Sequence, residues 1–135
     1  MKDFIFAQND DDDFPIGAEG GLQFKIEYAP VGTGDFQFER LFNTVAYHLF
    51  EDKSWDWYEE HYPSAGHKMA GYAYFTQNDP RENDYREYDI LLLQIDTDDE
   101  LNIMWGDSGV ANFFIRPQDL KNRDFTKVLY NWDCC

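Results

Sequence analysis

The run Ile90-Leu91-Leu92-Leu93-Gln94-Ile95 restricts most what this chain can become. It is too short for an ordinary buried helix and shows no alternation. It is therefore expected to be a strand buried on both faces. Asp96-Thr97-Asp98-Asp99-Glu100 follows as a polar turn, and residues 102–105 are expected to return as the hairpin partner. Gly106 to Gly109 make a second turn into a strand over 110–115. Pro117 suits the first position of a short helix through Leu120, and residues 128–132 form a final strand. In this reading 90–95 is the central strand, between 103–105 and 110–115.

Upstream the periodicities change. Leu22-Gln23-Phe24-Lys25-Ile26-Glu27-Tyr28 alternates apolar and polar residues, the pattern of a half-buried strand, and Pro30, Gly32 and Gly34 end it. Asp35 can cap a helix whose apolar stripe is Phe38, Leu41, Phe42, Val45, Ala46 and Leu49. Ser54 can cap a second, with Asp56 in its first turn, Trp55, Tyr58 and Tyr62 on one face, and Pro63 as its stop. Residues 63–89, rich in Gly, Pro, Asn and Asp, read as a long ordered loop with a short extended piece near 72–75. Helices and strands are segregated rather than alternating. The expected fold is α+β, with an antiparallel or mixed central sheet, a few short helices and a single domain. Residues 1–21, with the block Asp10-Asp11-Asp12-Asp13, are expected to be an acidic, mobile lead-in to a domain over 22–135.

Charge narrows the partners. Eleven Lys and Arg stand against 27 Asp and Glu, a formal net charge of −16 in 135 residues. Between Asp79 and Asp107, ten carboxylates against Arg81 and Arg86 leave −8. Such a field repels nucleic-acid phosphates and anionic membranes and attracts basic protein surfaces. No apolar run reaches the length of a membrane span, and the apolar stretch near the start is too short for a signal h-region, so a cytoplasmic location is expected. The only cysteines, Cys134 and Cys135, are adjacent, which excludes a disulfide framework.

Several motifs are weaker than they look. Gly106-Asp107-Ser108-Gly109 resembles the nucleophile segment of trypsin-like proteases, but no histidine stands in a matching context. A tight turn with positive φ at Gly106 or Gly109 is the better reading. Asp96, Asp98, Glu100 and Asp107 occupy positions 1, 3, 5 and 12 of a calcium-loop count, but Leu101 stands where that loop needs glycine. His48, His61 and His67 have no metal-ligand spacing. The rings Trp55, Trp57, Tyr58, Tyr62, Tyr72, Tyr74 and Trp105 exceed what a small core needs, and Trp57 is expected to be exposed.

Three ordered segments carry a family resemblance. They are Gly66-His67-Lys68-Met69-Ala70-Gly71-Tyr72 with Phe75-Thr76-Gln77-Asn78-Asp79-Pro80-Arg81; Leu91-Leu92-Leu93-Gln94-Ile95-Asp96 with Ile103-Met104-Trp105-Gly106-Asp107-Ser108-Gly109; and Asn112-Phe113-Phe114-Ile115 with the stretch from Asp124 to Cys135. Together they resemble the YwqG-like family, a bacterial domain of unknown function, over about the last hundred residues. The resemblance is to the C-terminal half of that domain and implies that the N-terminal half is missing. It supplies no catalytic residues.

The residues favour a non-enzymatic domain that binds a protein with a basic surface through an acidic, aromatic face; an immunity or antitoxin-like role is one concrete form. The candidate contact residues are Trp57, His67, Tyr72, Asp79, Arg81 and Asp107. No catalytic residue, metal, cofactor, nucleic acid or membrane is expected. A homodimer that tightens with salt would cover the apolar surface left by a missing half. The alternative is a fragment of an enzyme, its site in the 66–81 loop, with His67, Asp79, Arg81 and Asp107 converging.

Overall fold

A computed structural model describes residues 15–17 and 19–135. In chain order its elements are α1 (Gln37–Phe42), α2 (Ala46–Leu49), α3 (Asp52–His61), β1 (Ile90–Asp96), β2 (Val110–Ile115), α4 (Pro117–Asn122), a 3₁₀ turn over Phe125–Lys127 and β3 (Leu129–Asp133). The three strands form one antiparallel sheet in the order β1-β2-β3. The fold is a single small α+β domain. Most of the lead-in expected over 1–21 lies outside the described residues.

The central strand is β2, not β1. Every residue of β2 is buried except the half-buried Phe113, whereas β1 buries only Leu91 and Gln94 fully. The segment expected to flank β1 on its other side forms no strand. Asn102, Gly106 and Ser108 all hold left-handed backbone, with φ of 53°, 57° and 64°. A chain that turns so often cannot run straight, and Ile103 makes only isolated bridges to Ile16 and Asp98. The outer rim of β1 is met instead by Lys68, which exchanges two backbone hydrogen bonds with Gln94 at 3.1 and 2.8 Å.

Two loop layers cover the faces of β2. On one, Phe114 and Leu91 pack with Ala73 and Phe75. On the other, Ala111 packs with Ile103 and Trp105, backed by Ile95 and Phe113. A third cluster, Val31, Phe38 and Ala46, seats the helices. The long loop 63–89 is held by buried polar side chains rather than by strand pairing. The Gln94 amide accepts from Tyr74 N at 2.8 Å and donates to Gly66 O at 2.7 Å. Asn112 donates to Tyr74 O at 2.8 Å, and the Asp133 carboxylate accepts from Gln77 N at 3.1 Å. Each bond satisfies a backbone group that burial would otherwise strand without water. The extended piece expected near 72–75 is therefore attached by side chains and carries no ladder.

Two further expectations are corrected. The stripe from Phe38 to Leu49 is not one helix. Asn43, with φ of 54°, ends α1 in the left-handed conformation that asparagine tolerates, and the chain restarts at α2. Only Phe38 and Ala46 of that stripe are buried; Leu41, Phe42, Val45 and Leu49 face outward. Residues 22–28 form no strand either. They are exposed throughout and make no backbone pairing among the described residues.

Candidate functional site

Asp79 and Arg81 sit inside the protein. The Asp79 carboxylate accepts from Arg81 N and Nε at 2.9 Å, from Arg81 Nη2 at 2.7 Å and from Phe36 N at 3.0 Å. Arg81 Nη2 also donates to Asp35 at 3.0 Å, and Asp35 accepts from Ala73 N and Gln37 N at 2.7 and 2.9 Å. The guanidinium lies 3.9 Å from the Phe114 ring centroid and 4.7 Å from that of Phe36. None of the three charged side chains reaches solvent. Burial holds the Asp35 carboxyl above its ordinary range, against the opposing pull of the Arg81 charge and the Gln37 and Ala73 N–H groups. One cation between two carboxylates ties the start of α1 to the loop. This chemistry is spent internally.

His67 lies at the rim of the sheet. Its Nδ1 accepts from Asp96 N at 3.1 Å, which leaves Nε2 to donate to Asp98 at 3.1 Å. That bond, with the N–H groups of Leu101 and Glu100, holds the Asp98 carboxyl below its ordinary range. Lys68 turns inward and donates to Ser64 O and Tyr72 O. Its burial lowers the amine's affinity for a proton, against the charges of Asp35 and Asp96. Tyr72 packs on the Val31–Phe38–Ala46 cluster. Asp107 is exposed at the crest of the turn between β1 and β2. No hydrogen bond or ion pair among the described residues joins His67, the Asp79–Arg81 pair and Asp107.

The α3 helix presents a different kind of surface. None of its residues is fully buried. Trp57 is 51% exposed, stacks on His61 at 4.3 Å and meets Tyr62 edge-on at 5.9 Å. His61 Nδ1 bonds the Trp57 carbonyl at 2.8 Å, which fixes the stack. Asp52, Asp56, Glu59 and Glu60 stand on the same short helix with Lys53 as its only cation. On the inner side, Trp55 and Tyr58 pack on Phe50. Beside Trp55 opens a groove of about 800 Å³ walled by Phe36, Tyr47, Glu39 and Glu82. Arg40 and Arg86 in its wall are engaged with Asp89 and the Glu82 carbonyl. The groove offers apolar walls and carboxylates, with no unpartnered buried polar atom among its lining residues.

The sequence pattern singles out neither Asp35, Gln94, Asn112 nor Asp133 as a buried anchor. The one signal it holds is a polar residue inside an apolar run, as in Ile90-Leu91-Leu92-Leu93-Gln94-Ile95 and Val110-Ala111-Asn112-Phe113-Phe114-Ile115. Among the described residues no three His, Cys, Asp or Glu side chains are grouped to hold a metal ion, and no helix is long and apolar enough to cross a membrane. No curated protein matches the sequence. Residues 2–134 match the family described as Domain of unknown function (DUF1963), and the chain belongs to that family.

Proposed function

We propose that this domain is a non-catalytic protein-binding module whose partner presents a basic surface, and that the outer face of α3 makes the contact. The observation that carries this reading is Trp57, half exposed, held by its stack on His61 and flanked along the outer side of its helix by the exposed Asp56 and Glu60. A fixed aromatic ring among carboxylates suits arginine and lysine side chains, through charge and through the ring face. A bacterial, cytoplasmic, immunity-like role is the concrete form, with the chain standing as the C-terminal half of a YwqG-like domain. The enzyme-fragment alternative draws no support from the 66–81 loop, where Asp79 and Arg81 are buried against each other.

Calorimetry with an arginine- and lysine-rich peptide tests the reading. Binding is expected to weaken with added salt and to fall about tenfold or more in Trp57→Ala. Glu100→Gln, exposed on the turn between β1 and β2 and outside the candidate contact residues, serves as the charge control and should change little. Peptide affinity that ignores both salt and Trp57 would overturn the assignment.

A further inference from the structure

Two features left unpartnered among the described residues fit each other. The first is residues 22–28, which carry a strand's alternation yet lie open, with Ile26 97% exposed. The segment is tethered on both sides: Gly17 N donates to Asn102 O at 3.0 Å before it, and Val31 enters the core after it. The second is the outer edge of β3. The rim of β1 is already met by Lys68 and by Ala70, whose N–H donates to Leu91 O at 3.1 Å. Leu129–Asp133 makes backbone bonds only to β2 among the described residues. Tyr130 and Trp132, two apart and so on one face, are both half exposed.

We infer that the chain forms a two-fold dimer in which residues 22–28 of each copy add as a fourth strand to the β3 edge of the other. An open edge of unpaired N–H and C=O groups is a template for strand addition, and a two-fold axis makes the exchange reciprocal. Leu22, Phe24, Ile26 and Tyr28 share one face of the incoming strand and can pair across with Tyr130 and Trp132. Charge selects a second copy rather than a basic partner. Lys25 and Glu27 pair with each other at 2.5 Å, so the segment is neutral. The one carboxylate of β3, on Asp133, is buried and bonded to the 76–77 backbone. Two chains of −16 meet here with little like charge at the seam. The rings of Phe24 and Tyr28 from each copy, at roughly 150 to 200 Å² apiece, bury on the order of 600 to 800 Å², and Leu22 and Ile26 with the facing Tyr130 and Trp132 carry the total toward the area of a stable dimer.

Sedimentation of the full chain across micromolar concentrations, at low and high salt, tests this together with amide hydrogen exchange. The expected result is a dimer that tightens with salt, with amides in 22–28 and 129–133 that lose protection on dilution. Ile26→Pro, at a fully exposed position that the monomer fold does not use, should raise the dimer dissociation constant about 100-fold by removing a ladder donor and fixing φ. A monomer at both salts overturns the inference and leaves the edge to a strand of another protein. A dimer that survives Ile26→Pro with 22–28 unprotected overturns it in favour of another seam. Protection of 22–28 in a monomer overturns it in favour of pairing within one chain.

Discussion

Arg81 shows how one residue can be read correctly as chemistry and still be misplaced in space. A charged Asp-Pro-Arg turn in a loop invites a functional reading, since charges are seldom buried. Here the burial is complete, and the arginine pairs with two carboxylates while its planar head lies on Phe114. Arg81→Met would leave Asp35 and Asp79 enclosed without a cation and should cost about 3–5 kcal/mol. The loss should depend on pH. A carboxyl whose folded pKa lies above its unfolded value favours folding at low pH, and that contribution disappears as pH rises through the folded value. Asp35 already sits on that side, and removing Arg81 pushes it further. The urea midpoint of Arg81→Met should therefore recover in part between pH 7 and pH 5. An unchanged midpoint relative to the parent chain, at both pH values, would show that the buried pair is dispensable.

At the scale of elements, the turn between β1 and β2 is the most constrained piece. Gly109 donates to Trp105 O at 2.7 Å and accepts from the Thr97 hydroxyl at 2.8 Å. A Cβ at this glycine would stand 2.0 Å from Asp133 O and 2.6 Å from Trp105 O, both backbone atoms. Gly109→Ala should cost at least about 2 kcal/mol by forcing β2 and β3 apart, whereas Gly20→Ala, with nothing within 4 Å, should be silent. Urea melts of the two variants decide the point. The same stretch shows what is legible in the sequence. The strands at 90–96, 110–115 and 129–133, and helices near 54 and 117, are readable because apolar runs, rings at helical spacing and Pro117 are local signals, although Ser54, expected to cap α3, lies inside it. Their order in the sheet is not. Leu92 and Leu93 are as apolar as Phe114 and carry the same local signal for the interior, and the left-handed residues at 102, 106 and 108 keep 103–105 from running as a strand beside β1. For the candidate contact residues, the helix face expected for Trp57 leaves it exposed, as the structure has it, whereas the burial of Asp79 and Arg81 follows from tertiary packing.

The whole molecule is governed by its charge, and the three surfaces should answer salt with different signs. Twenty-seven carboxylates against eleven cations repel one another in the compact state more than in an expanded chain, so screening should stabilise the fold. Raising ionic strength from about 0.01 M to 0.15 M shortens the Debye length from about 30 Å to about 8 Å, which removes most repulsion between distant surface groups. The Arg81 node, enclosed and dry, is screened far less, so its contribution should persist. The urea midpoint of the parent chain is therefore expected to rise over that range, and in Ile26→Pro as well, since a monomer carries the same charge. Association of two copies through 22–28 and β3 should strengthen over the same range, while binding of a cationic peptide at Trp57 should weaken. Measuring stability in Ile26→Pro separates the first effect from the second, because a dimer adds its own concentration-dependent stabilisation. A midpoint that falls with salt in that variant would mean that attractive surface pairs such as Arg40–Asp89, at 3.1 Å, outweigh the net repulsion. That result would also remove the charge argument for an edge where Lys25 and Glu27 neutralise each other.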